Sequence, residues 1–321
     1  MYNQKHSLII LGVIMKYIFI ANPNAGKKDA IKRINEQLNS IKTKIDYEIY
    51  ETKGKKDAQR FVTEYSADNI DEKVCFIACG GDGTISEIAN GLVGTKNKSF
   101  AILAFGSGND FIKYYKGKDF LSLQKIIDGQ EHSIDILEIR DNTDIPKYSV
   151  NVCNFGLDSV VCSYANKLKD AGKGNAYTKG VIRAIFIGRY NDINVDVDGE
   201  RVTGKKLLLG TLANCHYVGG QYFTAPRAKN DDGIIDVCLY KAMPLFKFAS
   251  LLDAYKTGHH LDEKYANKAK KYLFYKQTKN PIHVYSEKEF ELCLDGEMLP
   301  GTDFYVSIIP GALNFIIPSD N

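Results

Sequence analysis

Short apolar runs alternate with helix-period faces through the first third of the chain. Tyr17–Ala21, Ile45–Tyr50, Val74–Cys79 and Phe100–Phe105 read as strands. Between them Ala30, Ile31, Ile34, Leu38 and Ile41 recur at helical spacing, as do Ala58, Phe61, Val62 and Tyr65, and a third helix spans Ile85–Leu92. This alternation predicts an α/β unit: a parallel sheet with helices on both faces and ligands at the carboxyl ends of its strands.

From about Ser133 the period changes to two. Ile134, Ile136 and Ile139, then Val150 and Val152, Val195 and Val197, and Ile282 and Val284 alternate as strands with one buried face. Asp198-Gly199 and Asp295-Gly296 are hairpin-turn dipeptides, and each opens a DGExxxG echo, at 198–204 and 295–301. The second half is therefore predicted to be mostly antiparallel β, with helical insertions near 158–190 and 244–272. Phe304–Ile309 and Leu313–Ile317 read as the last two strands.

Composition narrows the class. The chain has 321 residues, 44% hydrophobic and 25% charged, as for a folded protein of roughly two domains. A net charge of +3 does not point to nucleic acid. Seven cysteines without a CxxC pair argue against a disulfide framework or structural zinc and for a reducing, cytoplasmic setting. The apolar stretch Leu8–Ile20 is broken by Gly12 and Lys16 and is too short to span a bilayer. Met15 reads as a start, with residues 1–14 a dispensable extension.

Three glycine-rich loops follow strand candidates. In ACGGDGTISEIANG, Gly80, Gly81 and Gly83 permit close backbone approach at a helix N-terminus, where amides and the helix dipole favour phosphate. Thr84 and Glu87 form a T-x-x-E capping box placing the helix start at the loop. Asp82 sits inside this anion site, as a carboxylate does where a divalent cation or a water network intervenes. Asn22-Pro23-Asn24-Ala25-Gly26-Lys27-Lys28 forms a second wall, and Phe105-Gly106-Ser107-Gly108-Asn109-Asp110 a third. A tight turn without ligand is the plain alternative for each; together, at three strand ends, they form a nucleotide cradle.

NPNAGK, GGDGTISEIANG, FGSGNDF and a late LDGE, in that order, resemble the diacylglycerol kinase catalytic family, and within it the bacterial lipid kinases. Sphingoid-base kinases are relatives. The resemblance covers about residues 16–318. It implies a nucleotide-binding α/β domain (15–129 with 305–321), a β-sandwich-like lipid-substrate domain (130–304), and an active site in the cleft. It also implies ATP, Mg²⁺, a lipid alcohol acceptor and peripheral contact with the membrane surface; a homodimer is left open. Asn22 to Gly26, Thr52, Gly80 to Thr84, Glu87 and Ser107 would contact nucleotide, Ser107 standing where the family has Thr. Asp82, Asp110 and Asp135 match acids that organise Mg²⁺ and water, against the alternative of an ordinary exposed strand residue for Asp135. The Lys229 carbonyl, Asp232 carboxylate and Ile234 carbonyl match a structural Mg²⁺ loop, against the alternative of an ordinary Asp-Asp-Gly turn. Of the two Asp-Gly-Glu turns the resemblance selects the later: Glu297 as general base, with Asp295 orienting the site or helping with Mg²⁺.

Other features read blandly. Cys153, Cys162 and Cys215 read as small buried apolar residues, and His259 and His260 as solvated. Lys167, Lys169, Lys173, Lys179, Arg183 and Arg189 flank the apolar run Val181–Ile187, either a membrane-facing surface or a solvated helix face. The competing functions are an NAD kinase-like enzyme, which shares GGDGT, and a non-catalytic nucleotide- or lipid-binding regulator.

Overall fold

The computed structural model describes residues 15–26, 28–143, 145–170, 192–203 and 206–320. The α/β part runs β1 (Lys16–Ala21), α1 (Ala30–Ser40), β2 (Asp46–Glu51), α2 (Asp57–Asp68), β3 (Val74–Cys79), α3 (Asp82–Leu92), β4 (Lys98–Ile102) and α4 (Leu123–Ile127). β1 pairs in parallel with β2 and β3, and β3 with β4. Alternate residues of the buried strands point to opposite faces. Ile18, Ile20, Phe76 and Ala78 pack against Val62 and Ile88 of α2 and α3. Phe19, Ala21, Ile77 and Cys79 pack against Ile34 and Leu123 of α1 and α4. Helices therefore cover both faces, as the alternation predicts. β4 ends at Ile102, so Leu103–Phe105 is buried but lies beyond the strand.

The antiparallel part contains β5 (Gln130–Arg140), β6 (Lys147–Ser149), β7 (Val152–Gly156), α5 (Leu157–Asp170), β8 (Asn194–Val197), β9 (Glu200–Arg201), β10 (Leu207–Ala213), β11 (Tyr217–Val218) and β12 (Tyr222–Phe223). It continues through β13 (Ile235–Lys241), α6 (Leu245–Thr257), α7 (Glu263–Ala269), β14 (Leu273–Thr278), β15 (Ile282–Leu294) and β16 (Glu297–Ile317). Val150 falls between β6 and β7 rather than in a strand. A separate core unites Phe155, Val195, Leu212, Val237, Ile282, Leu292 and Phe304.

The two predicted final strands are one. β16 is 21 residues long, with a register shift between Ile309 and Leu313 on its β5 side. Its first half pairs with β15, while its second pairs with β5 and meets β4 at Phe315 and Phe100. A single sheet thus runs from β14 to β2 through β16. The side chains of 164–170 and all of 171–191 lie outside the described residues, as do residues 1–14, so the basic run at 167–189 and the extension are not placed. No helix among the described residues is long and apolar enough to cross a membrane.

Candidate active site

β1 sits between β2 and β3, so crossovers run in opposite directions on either side of it. Such a switch point opens a crevice at the carboxyl ends of the strands, and the glycine-rich loops border it. The Asn22 amide donates to the Cys79 carbonyl at 3.2 Å, and the Asn22 side-chain amide donates to Thr84 Oγ1 at 3.3 Å. Pro23, Asn24 and Ala25 continue this wall, the Asn24 amide donating to Asn22 Oδ1. Gly26 has φ +54°, and a Cβ there would lie 2.2 Å from the Phe105 carbonyl oxygen, so this loop closes against the third only with glycine. The Phe105 and Gly106 amides in turn donate to the Gly80 carbonyl at 3.2 and 2.8 Å. Thr52 is buried beside the cradle, its amide donating to the Ala21 carbonyl at 2.9 Å. Ser107 is exposed on the third loop.

The second loop corrects one expectation. Thr84 and Glu87 do not form a capping box: α3 begins at Asp82, its N-cap is Gly81, and no side chain caps it. Glycine at the cap lets the helix start earlier and leaves its first amides without a capping side chain. Glu87 reaches across to α2, accepting from the Lys56 and Ala58 amides at 2.9 and 3.1 Å. It thereby holds the β2–α2 loop against the glycine loop.

Asp82 Oδ1 accepts from the Asp110 amide at 2.6 Å. Burial, and then the Asp110 charge, push the Asp82 carboxyl above the usual range. Two neighbouring carboxylates of this kind make a hard-oxygen pair that suits a divalent cation. Asp110 Oδ1 accepts from Lys113 Nζ at 2.7 Å, and the carboxylate also takes the Gly220 amide at 3.0 Å. Asp110 therefore latches the β11–β12 hairpin of the antiparallel part onto the third loop.

Both Asp-Gly dipeptides are two-residue hairpin loops with left-handed backbones, φ +54° and +80° at 198–199 and +49° and +95° at 295–296. These are type I′ turns. The later one faces the cradle: Glu297 Oε2 and Lys55 Nζ, in the β2–α2 loop, are 2.5 Å apart. Asp295 anchors this turn from below. Its carboxylate accepts from Ser149 Oγ at 2.7 Å and from the Val150, Asn151 and Val152 amides at 2.8, 3.1 and 3.0 Å. Burial pushes its carboxyl up to about 6 against these donors.

Asp135 is buried, not on an exposed strand surface. Its oxygens accept from the Gly233 and Gly311 amides at 2.7 and 2.8 Å, joining β5 to the 229–234 loop and to the irregular point of β16. Lys229, Asp232 and Ile234 share that loop, where Asp232 Oδ1 accepts from the Ile234 amide at 3.0 Å. Burial raises the Asp232 carboxyl.

Lys55, Lys113, Gly220 and the 150–152 amides escaped the sequence reading. Of these only the basic cluster in ETKGKK carried a signal. Two bland readings are corrected. His260 is fully buried and pushed down to about 4 by burial, because a turn after α6 folds it inward, whereas His259 is exposed and pairs with Asp262. Cys153 and Cys215 are buried, but Cys162 is only half-buried and its Sγ approaches the Gly296 carbonyl oxygen at 3.6 Å.

Residues 16–139 match the diacylglycerol kinase catalytic domain, and residues 151–317 match the YegS C-terminal NAD kinase beta sandwich-like domain. A Shewanella frigidimarina protein named "Probable lipid kinase YegS-like" is 27% identical over 304 residues, 92% of this chain and 90% of its own length. "Diacylglycerol kinase" from Bacillus subtilis is 28% identical over 294 residues, 88% and 90% of the two chains. The crystal structure of a diacylglycerol kinase from Bacillus anthracis str. Sterne shares the fold, with a TM-score of 0.66 at 21% identity over 94% of this chain and 96% of that one. With its glycine loops, its late Asp-Gly-Glu turn and both domain models matched in order, this chain belongs to the diacylglycerol kinase catalytic family.

Proposed function

We propose that the protein transfers the γ-phosphoryl group of ATP to the hydroxyl of diacylglycerol or a similar lipid alcohol. The observation that carries this reading is the Glu297–Lys55 contact, which sets a carboxylate of the antiparallel part against the nucleotide cradle. The amides at the start of α3, with the loops at Asn22–Gly26, Thr52 and Ser107, form the phosphate-binding wall. Mg²⁺ held by Asp82 and Asp110 would neutralise phosphate charge. Among the described residues no cluster of three or more acidic, His or Cys side chains is poised for a metal, so water and phosphate oxygens would complete its shell. Lys229, Asp232 and Ile234 would hold a second, structural Mg²⁺, with Asp135 steadying that loop.

Glu297 accepts the lipid hydroxyl proton as the new oxygen–phosphorus bond forms. The bond from the γ-phosphorus to the bridging oxygen breaks, and ADP leaves. Asp295 holds the turn and thereby orients Glu297. In this reading the nucleotide domain comprises 15–129 with 305–321, and 130–304 supplies the lipid side. The protein would meet its acceptor peripherally at a cytoplasmic membrane surface.

The test is incubation with labelled ATP, Mg²⁺ and total lipid extract, followed by identification of the labelled lipid. Label in phosphatidic acid or a comparable lipid phosphate is the expected result. Transfer to NAD instead, or no acceptor-dependent turnover, would sink the proposal in favour of an NAD kinase-like enzyme or a regulator.

A further inference from the structure

Two cysteines lie behind the later Asp-Gly-Glu turn. Cys162 lies in the second turn of α5, and Cys293 lies in β15, two residues before Asp295. α5 packs on β15, and since Leu292 and Leu294 point into the core on the opposite face, Cys293 faces α5 and its Cys162 thiol. Cys162 Sγ also lies 3.6 Å from the carbonyl oxygen of Gly296, inside the turn that carries Glu297. Cys293 is buried and pairs in register with Asn154 on one side and Met298 on the other. Cys162 is half-buried, so a small solute can reach it more readily than it can reach Cys293.

The geometry points to a peroxide-sensitive thiol pair: Cys162 and Cys293 form a reversible disulfide that ties α5 to β15 and displaces the Glu297 turn. The neighbouring Cys293 thiol lowers the Cys162 thiol below its ordinary range, while Cys162 and burial raise Cys293. Readier access to solutes, with the lowered thiol in support, assigns Cys162 as the attacking thiolate and buried Cys293 as the resolving thiol. With hydrogen peroxide as oxidant, Cys162 sulfur attacks one peroxide oxygen, the oxygen–oxygen bond breaks, and hydroxide leaves to be protonated to water. Cys293 sulfur then attacks the Cys162 sulfenic acid, its thiol proton is lost, and a second water leaves as the sulfur–sulfur bond forms. One peroxide is reduced and two thiols are oxidised.

Closing the bond brings the sulfurs to about 2.0 Å. The thiol can no longer donate to the Gly296 carbonyl, and the strand end carrying Asp295 must shift. A displacement on the order of 1 Å at a catalytic group costs up to ~10²-fold in rate. The functional half of this inference rests on Glu297 being the base; the chemical half does not.

The test treats full-length protein with hydrogen peroxide, maps disulfides by mass spectrometry, and follows hydrogen exchange over 294–298 and lipid-dependent ATP turnover. We expect a Cys162–Cys293 peptide, altered exchange at the turn, a ~10- to 100-fold fall in turnover, and recovery with dithiothreitol. Cys162→Ser should keep basal turnover and resist peroxide, and Cys293→Ser should form no bridge. Absence of the bridge in the parent, or a bridge that leaves exchange at the turn unchanged, would overturn the proposal. A bridged parent with altered exchange but no lipid kinase activity in either redox state would instead count against the kinase reading.

Discussion

The two Asp-Gly-Glu turns share three residues, a type I′ backbone and a place at the tip of an antiparallel hairpin, yet their chemistry is opposite. At 198–200 the aspartate is solvated and held by β14 and the residues just after it. It accepts from Lys276, Thr278 and Asn280, and the Lys276 bond first of all holds its carboxyl far below the usual range. At 295–297 the aspartate is enclosed by an uncharged nest of one hydroxyl and three amides, and burial raises it to about 6. The glutamates differ as well: Glu200 is exposed at the short β8–β9 hairpin, while Glu297 meets Lys55 across the cleft. A motif of three residues thus specifies a turn; the strand that carries the turn decides what it faces.

The sharpest way to break this comparison is to remove each glutamate. Glu297→Ala should lower turnover by about 10²- to 10⁴-fold while ATP binding and the thermal transition persist. Glu200→Ala, measured in the same assay, should remain fully active. If the Glu200 variant is dead and the Glu297 variant turns over normally, the roles of the turns are reversed.

Next in size is stability. Asp295→Asn replaces an acceptor facing four donors with an amide that must point its own N–H₂ at some of them, at a cost of about 3 kcal/mol. Asp198→Asn, solvated and free to rearrange, should cost visibly less in the same denaturant titration. The pH dependence has opposite sign at the two sites. The folded Asp295 carboxyl is raised to about 6, above an unfolded value of about 3.9, so its ionisation penalises the fold above pH ~6. That penalty is relieved as pH falls from ~6 to ~4. The folded Asp198 carboxyl is lowered, so its contribution is present above pH ~3.9 and is lost as pH falls through the folded value. Subtracting each variant's stability curve from the parent's isolates the group, since Asp158, also raised to about 6, titrates in both. Difference curves of the same sign would refute the contrast.

The smallest effect expected is at Lys55. Its pair with Glu297 is solvent-exposed, with side-chain exposures of 67% and 49%, so the contact itself contributes at most about 1 kcal/mol. Lys55→Ala should lower kcat/KM by up to ~5-fold, with a larger loss at low salt than at high salt. A salt-independent loss would mean that Lys55 acts by packing rather than by charge.

Much of this was legible in the residues. The strand Val74–Cys79 is buried along its whole length and coincides with its apolar run, because a central parallel strand tolerates no polar face. The helix after it began earlier than periodicity suggested, because Gly81 supplied the cap where Thr84 was expected to. Asp135 read as either a site acid or an exposed strand residue, since period two alone cannot say which side of β5 will be covered. The division of the end of the chain into two strands failed at Pro310–Ala312, where a register shift, visible only with β5 alongside, keeps one strand continuous.

The sequence by itself determined the period of each element, the three glycine loops after β1, β3 and β4, the left-handed Asp-Gly turns, and the family to which their order belongs. These are local: they depend on backbone conformations that few residues adopt and on spacings within a few residues. Only the tertiary structure decided which Asp-Gly-Glu faces the cradle, that Glu87 holds α2, that Asp110 latches a hairpin more than a hundred residues away, and that Cys162 reaches the Gly296 carbonyl behind Glu297. Each of these joins residues far apart in the chain. Their meeting is set by how β16 carries one sheet through both parts of the molecule, and by the burial that follows, which no short stretch of sequence contains.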